Sequence, residues 1–359
     1  MDPYPEQPQG VQDQPPAVAW AELEVMGSAA RLCAVSNTHG GAALRALLDG
    51  GVTQLQDLEQ RWSRFLPTSE LCWLNDRAGS GWSRVSEPTF TLLEHMVQGW
   101  RATSGAFDPT ITTALEAAGY DRSLELLTAA AGLATALPAA APPVSARPAP
   151  TPTPGLAGVR LDAARAMVLL PAGVRLDAGG IGKGLAADLV VAGLGQRGCD
   201  GAMASVGGDV RVCGQPPTGD AWRVEIAAAG TAPHRTEAGF GPTATVASRT
   251  VRDGAVATSS VLRRRWQNAD GQEAHHVIDP RTGSCSAADL LQVSVSANQG
   301  WWAEVLSTAA LAAGAEQAAI MLSAAGVDAV LIDGQGRHRI IGNAFELIGA
   351  PSAAARSAR

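Results

Sequence analysis

Apolar and polar positions alternate or recur along most of the chain, and the two periods predict different elements. Residues 21–35 alternate loosely and predict a strand that runs through Met26-Gly27-Ser28. Between Gly41 and Phe65, Leu44, Leu47, Leu55, Leu58 and Trp62 recur at helical spacing, with a break expected near Gly50-Gly51. Phe90, Leu93, Val97 and Trp100 mark one face of a second amphipathic helix over residues 88–103. Short apolar runs at 157–162, 166–170 and 173–177 are bounded by Gly and Pro and predict hairpin strands. Further strands are predicted at 202–212, 222–227, 254–257, 275–278 and 291–296. A long apolar helix follows over 301–314 and another over 315–325. A strand pair at 327–333 and 337–342 turns at Asp333-Gly334. Strands and helices mix without strict βαβ alternation, which predicts an α+β fold with mixed or antiparallel sheets packed against helices.

Two segments lack such a pattern. Residues 1–18 are polar and Pro-rich and are expected to be disordered, as is the tail 350–359. Residues 128–155 are almost entirely Ala, Pro and Thr and predict a low-complexity surface insertion within one domain spanning 19–349.

Composition narrows the function. The 359 residues carry a net charge of −7, which disfavours nucleic acid as a partner because phosphate neutralisation needs a basic face. The five cysteines are scattered and form no CxxC pair, so zinc ligation and a disulfide framework are not expected. The first twenty residues hold neither a basic nor an apolar signal-peptide region, and no long uncharged apolar run predicts a membrane span. The expected location is cytoplasmic.

The densest chemistry lies in Leu176-Asp177-Ala178-Gly179-Gly180-Ile181-Gly182-Lys183-Gly184. An apolar run ends in an acid, a cluster of glycines holds one lysine, and a helical pattern begins. Glycines let backbone approach a ligand closely, N–H groups at a helix start can cradle phosphate, and Lys183 adds a point charge. Asp177 beside such a site suggests an accompanying cation. The spacing is neither that of a P-loop nor that of a dinucleotide fingerprint, and a tight strand-to-helix turn with an exposed lysine fits the segment equally well. Glu304 and Thr308 stand four apart on one face of an apolar helix, two oxygen donors of a kind that suits Mg²⁺. Glycines with an acid at Val206-Gly207-Gly208-Asp209, hydroxyls at Thr258-Ser259-Ser260, and the loops 104–110 and 275–283 are further candidates. Each is also compatible with an ordinary turn or cap.

Taken in order, these segments resemble the ApbE-like FAD:protein FMN transferase family from about Met26 to Gly342. The resemblance is carried by Met26-Gly27-Ser28, Ser63-Arg64-Phe65 with Ser69-Glu70-Leu71 and Leu74-Asn75, and Gly105-Ala106-Phe107-Asp108-Pro109-Thr110. It continues through the 176–184 segment, Val206-Gly207-Gly208-Asp209, His276-Val277-Ile278-Asp279-Pro280-Arg281-Thr282-Gly283 and Ala303-Glu304-Val305-Leu306-Ser307-Thr308. It implies Mg²⁺-dependent transfer of FMN from FAD to a threonine or serine of an acceptor flavoprotein, with AMP released. By position it implies metal ligands at Glu304, Thr308 and the Gly180 backbone. It implies an FAD pocket lined by Met26, Phe65, Ala106, Phe107, Asp108, Asp177, Lys183, Gly207, Gly208 and His276. His276 and Asp177 are the two candidates for general base. Two departures stand out: Glu304 replaces the family's usual Asp, and Phe65 stands where many members carry Tyr. An FAD pyrophosphatase, a flavin binder without activity and a purely structural protein remain as alternatives.

Overall fold

The computed structural model describes residues 15–121, 150–230, 233–236, 239–242, 244–268 and 271–348. The expected disordered ends and most of the Ala/Pro/Thr insertion lie outside them.

The frame is an eight-stranded antiparallel sheet whose spatial order follows the sequence. Its strands are β1 (Ala17–Val25), β2 (Ser28–Ser36), β3 (Gly201–Val206), β4 (Asp209–Gly214), β5 (Gly254–Ser260), β6 (Leu290–Ala297), β7 (Asp328–Asp333) and β8 (His338–Ile341). One face carries helices. The other carries a three-stranded sheet of Trp222–Ala227, Thr245–Val251 and Phe345–Leu347. Central strands are therefore buried on both sides. On β2, Leu32 and Ala34 enter the helix-side core, while Cys33 and Val35 pack with Trp222, Val224 and Phe345 on the other side. Such strands read as continuous apolar runs rather than alternating ones.

The helical layer comprises α1 (Gly41–Trp62), α2 (Glu70–Asp76), α3 (Glu87–Ala102), α4 (Thr112–Ala117), α5 (Gly182–Gln196), α6 (Gly300–Ala313) and α7 (Ala315–Ala324). Ser69 caps α2 by accepting from the Cys72 N–H at 3.0 Å. Glu70 accepts from Ser86 N and from Thr89 Oγ1, so one carboxylate ties the start of α2 to the start of α3.

The structure corrects several expectations. Residues 17 and 18 belong to β1, which pairs with β2, so order begins earlier than the polar composition implied. The single strand expected over 21–35 is a hairpin, because Met26 (φ 54°) and Gly27 (φ 62°) both turn left-handed. The same device separates β3 from β4, with Gly207 at φ 63° and Gly208 at 98°. The break expected at Gly50-Gly51 is absent. Helix α1 runs through it, and Gly51 is buried where an added Cβ would meet Val190 at 3.3 Å and Leu32 at 3.4 Å. The third expected hairpin strand, 173–177, forms no ladder. Finally, the end of the expected insertion is woven into the body. Thr153 N donates to the Pro280 carbonyl at 2.9 Å, and Gly155 N donates to Thr110 Oγ1 at 3.0 Å.

Candidate active site

Helices α5 and α6 cross at a glycine on each. A Cβ on Gly184 would collide with the Gly300 carbonyl, and one on Gly300 would lie 2.6 Å from the Gly184 oxygen. Asp188 of α5 locks the crossing by accepting from Gly300 N at 2.8 Å and Trp301 N at 2.9 Å, the orphan donors at the start of α6. Burial raises the Asp188 carboxyl above its ordinary range, against those backbone donors and Arg211. The close crossing brings Lys183 and Glu304, 121 positions apart, into contact.

Lys183 Nζ donates to Glu304 Oε1 at 2.6 Å and also to Asp209 Oδ2. Glu304 Oε2 accepts from Gly184 N at 2.7 Å, and Asp209 Oδ1 accepts from Thr258 N at 3.0 Å. Both carboxylates are only 2% exposed. Burial alone would lower the lysine, yet Asp209 and Glu304 hold it above its ordinary value. Burial pushes the Glu304 carboxyl up to about 7; Asp209 adds to the rise and Lys183 opposes it. Two acids share one ammonium, so the centre retains one negative charge when both are ionised.

Hydroxyl groups adjoin it. Ser259 Oγ lies 2.9 Å from Ser307 Oγ and 3.1 Å from Thr308 Oγ1. Gly180 sits against this group: an added Cβ would meet Thr308 Cγ2 at 3.2 Å, Thr308 Oγ1 at 3.4 Å and Phe107 at 3.2 Å. Gly180 thus lies beside Thr308, one helical turn along α6 from Glu304, whose carboxylate is held by Lys183 and Gly184. The donors there are carboxylate, hydroxyl and carbonyl oxygen, the hard set that suits Mg²⁺. Among the described residues, no cluster of three or more His, Cys, Asp or Glu side chains forms a metal cage.

A second feature faces the glycine turn. Asp177, 7% exposed, pairs with Arg64 Nε at 2.8 Å and accepts from Gly179 N at 2.5 Å. The Arg64 side chain is 8% exposed and lies 4.1 Å over the Phe65 ring and 4.5 Å over Tyr120. Tyr120 meets Phe65 edge-on at 5.5 Å and stacks on Trp266 at 4.9 Å. The Trp266 indole is anchored by donating to the Ala118 carbonyl at 2.8 Å. Among the described residues, two buried side-chain atoms in this region have no hydrogen-bond partner: Arg64 Nη2 and His276 Nδ1. Burial, aided by Arg264, His275 and Lys183, depresses His276 to about 3, so the imidazole is neutral at pH 7.

The remaining expected site residues have mostly structural partners. Asp108 Oδ1 accepts from Thr110 N and Oγ1 at 2.8 and 2.7 Å, and its Oδ2 accepts from Thr153 Oγ1 at 2.6 Å. Phe107 is buried in the main core, and Ala106 packs on it. Met26 N donates to Glu59 Oε1 at 2.6 Å. Gly207 approaches Lys183 and Ser28, where a Cβ would meet Lys183 Cδ at 3.1 Å. Gly208 completes the turn that sets Asp209 at the head of β4. Asp209 and Ser259 lay in candidate segments and Arg64 in a quoted one, but none was given a role of its own from sequence, and Tyr120 was not singled out; nothing local joins Asp209 or Ser259 to Lys183 or Thr308.

A buried ionic centre, a hydroxyl cluster and a glycine turn on the helix side of an antiparallel sheet define an α+β protein built to handle a ligand rather than merely to pack. The family model for the ApbE family matches residues 26–342, and the chain belongs to that family. It is similar to the FAD:protein FMN transferase of Treponema pallidum (strain Nichols), 32% identical over 319 residues, 87% of this chain and 83% of that one. It is also similar to the FAD:protein FMN transferase of Vibrio cholerae serotype O1, 23% identical over 278 residues, 77% of this chain and 76% of the other. Among solved structures, the ApbE protein of Thermotoga maritima superposes with a TM-score of 0.69 at 23% identity, over 90% of this chain and 96% of its own. The flavin transferase ApbE of Vibrio cholerae gives 0.69 at 20% identity, over 91% and 97%. These likenesses bear out the α+β expectation.

Proposed function

We propose that this chain transfers FMN from FAD to a threonine or serine hydroxyl of an acceptor protein. The observation that carries the reading is the buried Lys183–Asp209–Glu304 centre beside Gly180 and the Ser259–Ser307–Thr308 hydroxyls, in a chain whose relatives are named FAD:protein FMN transferases.

In this reading the acceptor hydroxyl attacks the FMN phosphorus, a new P–O bond forms, and the bond from that phosphorus to the bridging oxygen breaks to release AMP. Positioning and charge neutralisation do most of the work in such a step. Mg²⁺, held by the Glu304 carboxylate, Thr308 Oγ1 and the Gly180 carbonyl, would act as Lewis acid and template for the diphosphate. The donor set fits the ion, and each Glu304 oxygen keeps a lone pair beyond those used by Lys183 and Gly184. Lys183 holds Asp209 and Glu304 together rather than standing free for phosphate. Of the two candidate bases, His276 keeps a buried Nδ1 without a partner among the described residues, but its depression to about 3 makes it a weak proton acceptor at neutral pH. Asp177 is already engaged by Arg64 and Gly179.

The test is mass spectrometry of a threonine-bearing acceptor flavoprotein incubated with this protein, FAD and Mg²⁺. A threonine adduct of FMN mass with equimolar AMP is the expected result. FMN and AMP without an adduct would replace transfer by pyrophosphate hydrolysis. Intact FAD would leave only binding.

A further inference from the structure

We propose that Arg64 is a specificity-determining residue that reads the flavin ring, its free Nη2 donating to a carbonyl oxygen of the isoalloxazine pyrimidine ring. The inference rests on the proposed use of FAD and adds to it a residue and a role.

Arg64 is unusual in three respects. Its side chain is 8% exposed, so its guanidinium is largely removed from water. Its charge is met by Asp177 at 2.8 Å through Nε, while Nη2 is buried with no acceptor. A buried donor without a partner loses its hydration for no return. Stacking over Phe65 and Tyr120 holds the fork in one plane. A site that keeps such a group aligned and unsatisfied is arranged for an acceptor that arrives with the ligand.

The kind of acceptor follows from the surroundings. Asp177 neutralises the guanidinium, so the pair offers a donor without net charge. That suits a neutral carbonyl better than a diphosphate. The adjoining aromatic cluster, in which Phe65 and Trp266 are half-buried around a buried Tyr120, offers ring faces suited to a planar heterocycle. FAD contains two such heterocycles. Adenine offers ring nitrogens as acceptors, whereas the isoalloxazine offers carbonyl oxygens, the acceptor that a neutralised guanidinium suits. Lys183 does not compete for this role, because Asp209 and Glu304 occupy it.

The experiment measures dissociation constants of FAD, FMN and ADP for the wild type and two variants. Arg64→Met removes the donor. Arg64→Met with Asp177→Asn also removes the carboxylate that would otherwise be left unpaired, and so guards against a folding defect. In the double variant, FAD and FMN should weaken about 10- to 100-fold, the range for loss of a charged hydrogen bond, while ADP stays within about twofold. Equal losses for FMN and ADP would reduce Arg64 to a structural role. Loss of ADP alone would move its contact to adenine. Unchanged constants for all three, with wild type binding FAD, would overturn the inference and leave the proposed function standing. Failure of the wild type to bind FAD would instead overturn that function.

Discussion

Replacing Lys183 by Met tests whether one ammonium holds the centre together. The side chain keeps its length and loses its charge, leaving Asp209 and Glu304, each 2% exposed, facing one another without a counter-ion. Breaking a buried pair by removing one partner costs about 3–5 kcal/mol. The two acids can soften that cost only by taking up a proton. Burial and Asp209 already push Glu304 to about 7, and losing the lysine that opposes the rise sends it higher. The sign follows from proton linkage. A carboxyl raised in the folded state binds more protons there than in the unfolded chain, so stability is fully present below the unfolded value and falls as pH rises through the folded one. The variant should therefore lose about 3–5 kcal/mol at pH 8.5, a drop of roughly 6–10 °C in melting temperature for a domain this large, and clearly less at pH 5.5. The assay is urea and thermal unfolding in EDTA at both pH values, with Lys183→Met/Glu304→Gln alongside. The second substitution removes one of the stranded charges and should restore part of the loss at pH 8.5. Equal stability of wild type and Lys183→Met at both pH values would refute the ionic account of this centre.

Three other substitutions probe separate parts of the argument. Glu304→Ala should abolish FMN transfer, read by mass spectrometry of the acceptor, while FAD still binds by fluorescence titration; transfer at wild-type rates would remove Glu304 from the metal set. His276, depressed to about 3 in the fold, makes the unfolded chain the better proton acceptor between about 3 and 6.5, so its contribution to stability is lost as pH falls. Wild type should lose about 2 kcal/mol more than His276→Gln between pH 7.5 and pH 5, and parallel pH profiles in urea melts would contradict the burial that depresses it. Gly184→Ala should push α5 off the Gly300 carbonyl and cost about 1–3 kcal/mol or more, with FAD binding weakened through the shifted Lys183. An unchanged melting temperature would mean that the crossing has slack.

Elements whose burial is one-sided were legible from sequence. The α3 pattern of Phe90, Leu93 and Val97 predicted residues 88–103, and the helix is Glu87–Ala102. Helix α6, Gly300–Ala313, is buried on nearly every side and was legible instead from the length of its apolar run at 301–314. Glycines were misread when their reason was tertiary. Gly50-Gly51 looked like a break because glycine weakens an isolated helix. In the fold, Gly51 lies under Val190 and Leu32, so a larger side chain there would part α1 from α5 and β2. Gly27 was passed over inside a strand, although its left-handed turn with Met26 makes the hairpin. Composition misled in the same way at residues 150–155. Pro and Thr suggested a surface loop, yet Thr153 is the residue that joins Asp108 to the Pro280 carbonyl.

The site was legible as a set of residues and illegible as a circuit of charges. The glycine turn suggested a lysine for phosphate with Asp177 as its neighbouring anion. In the fold each charge has a different partner: Asp177 holds Arg64, and Lys183 holds Asp209 and Glu304. Sequence proximity between Asp177 and Lys183 was a poor guide because each charge is met by a residue from elsewhere in the fold. The pairs that form are separated by 26 and 121 positions and depend on the β3–β4 turn and the α5–α6 crossing. The exchange bears on the substitution of Glu for the usual Asp at 304. A longer carboxylate reaches both the Lys183 ammonium at 2.6 Å and the Gly184 amide at 2.7 Å across the glycine crossing. Shortened to Asp, it would give up one of these, and the centre would keep its charge but lose the brace between the two helices that carry it.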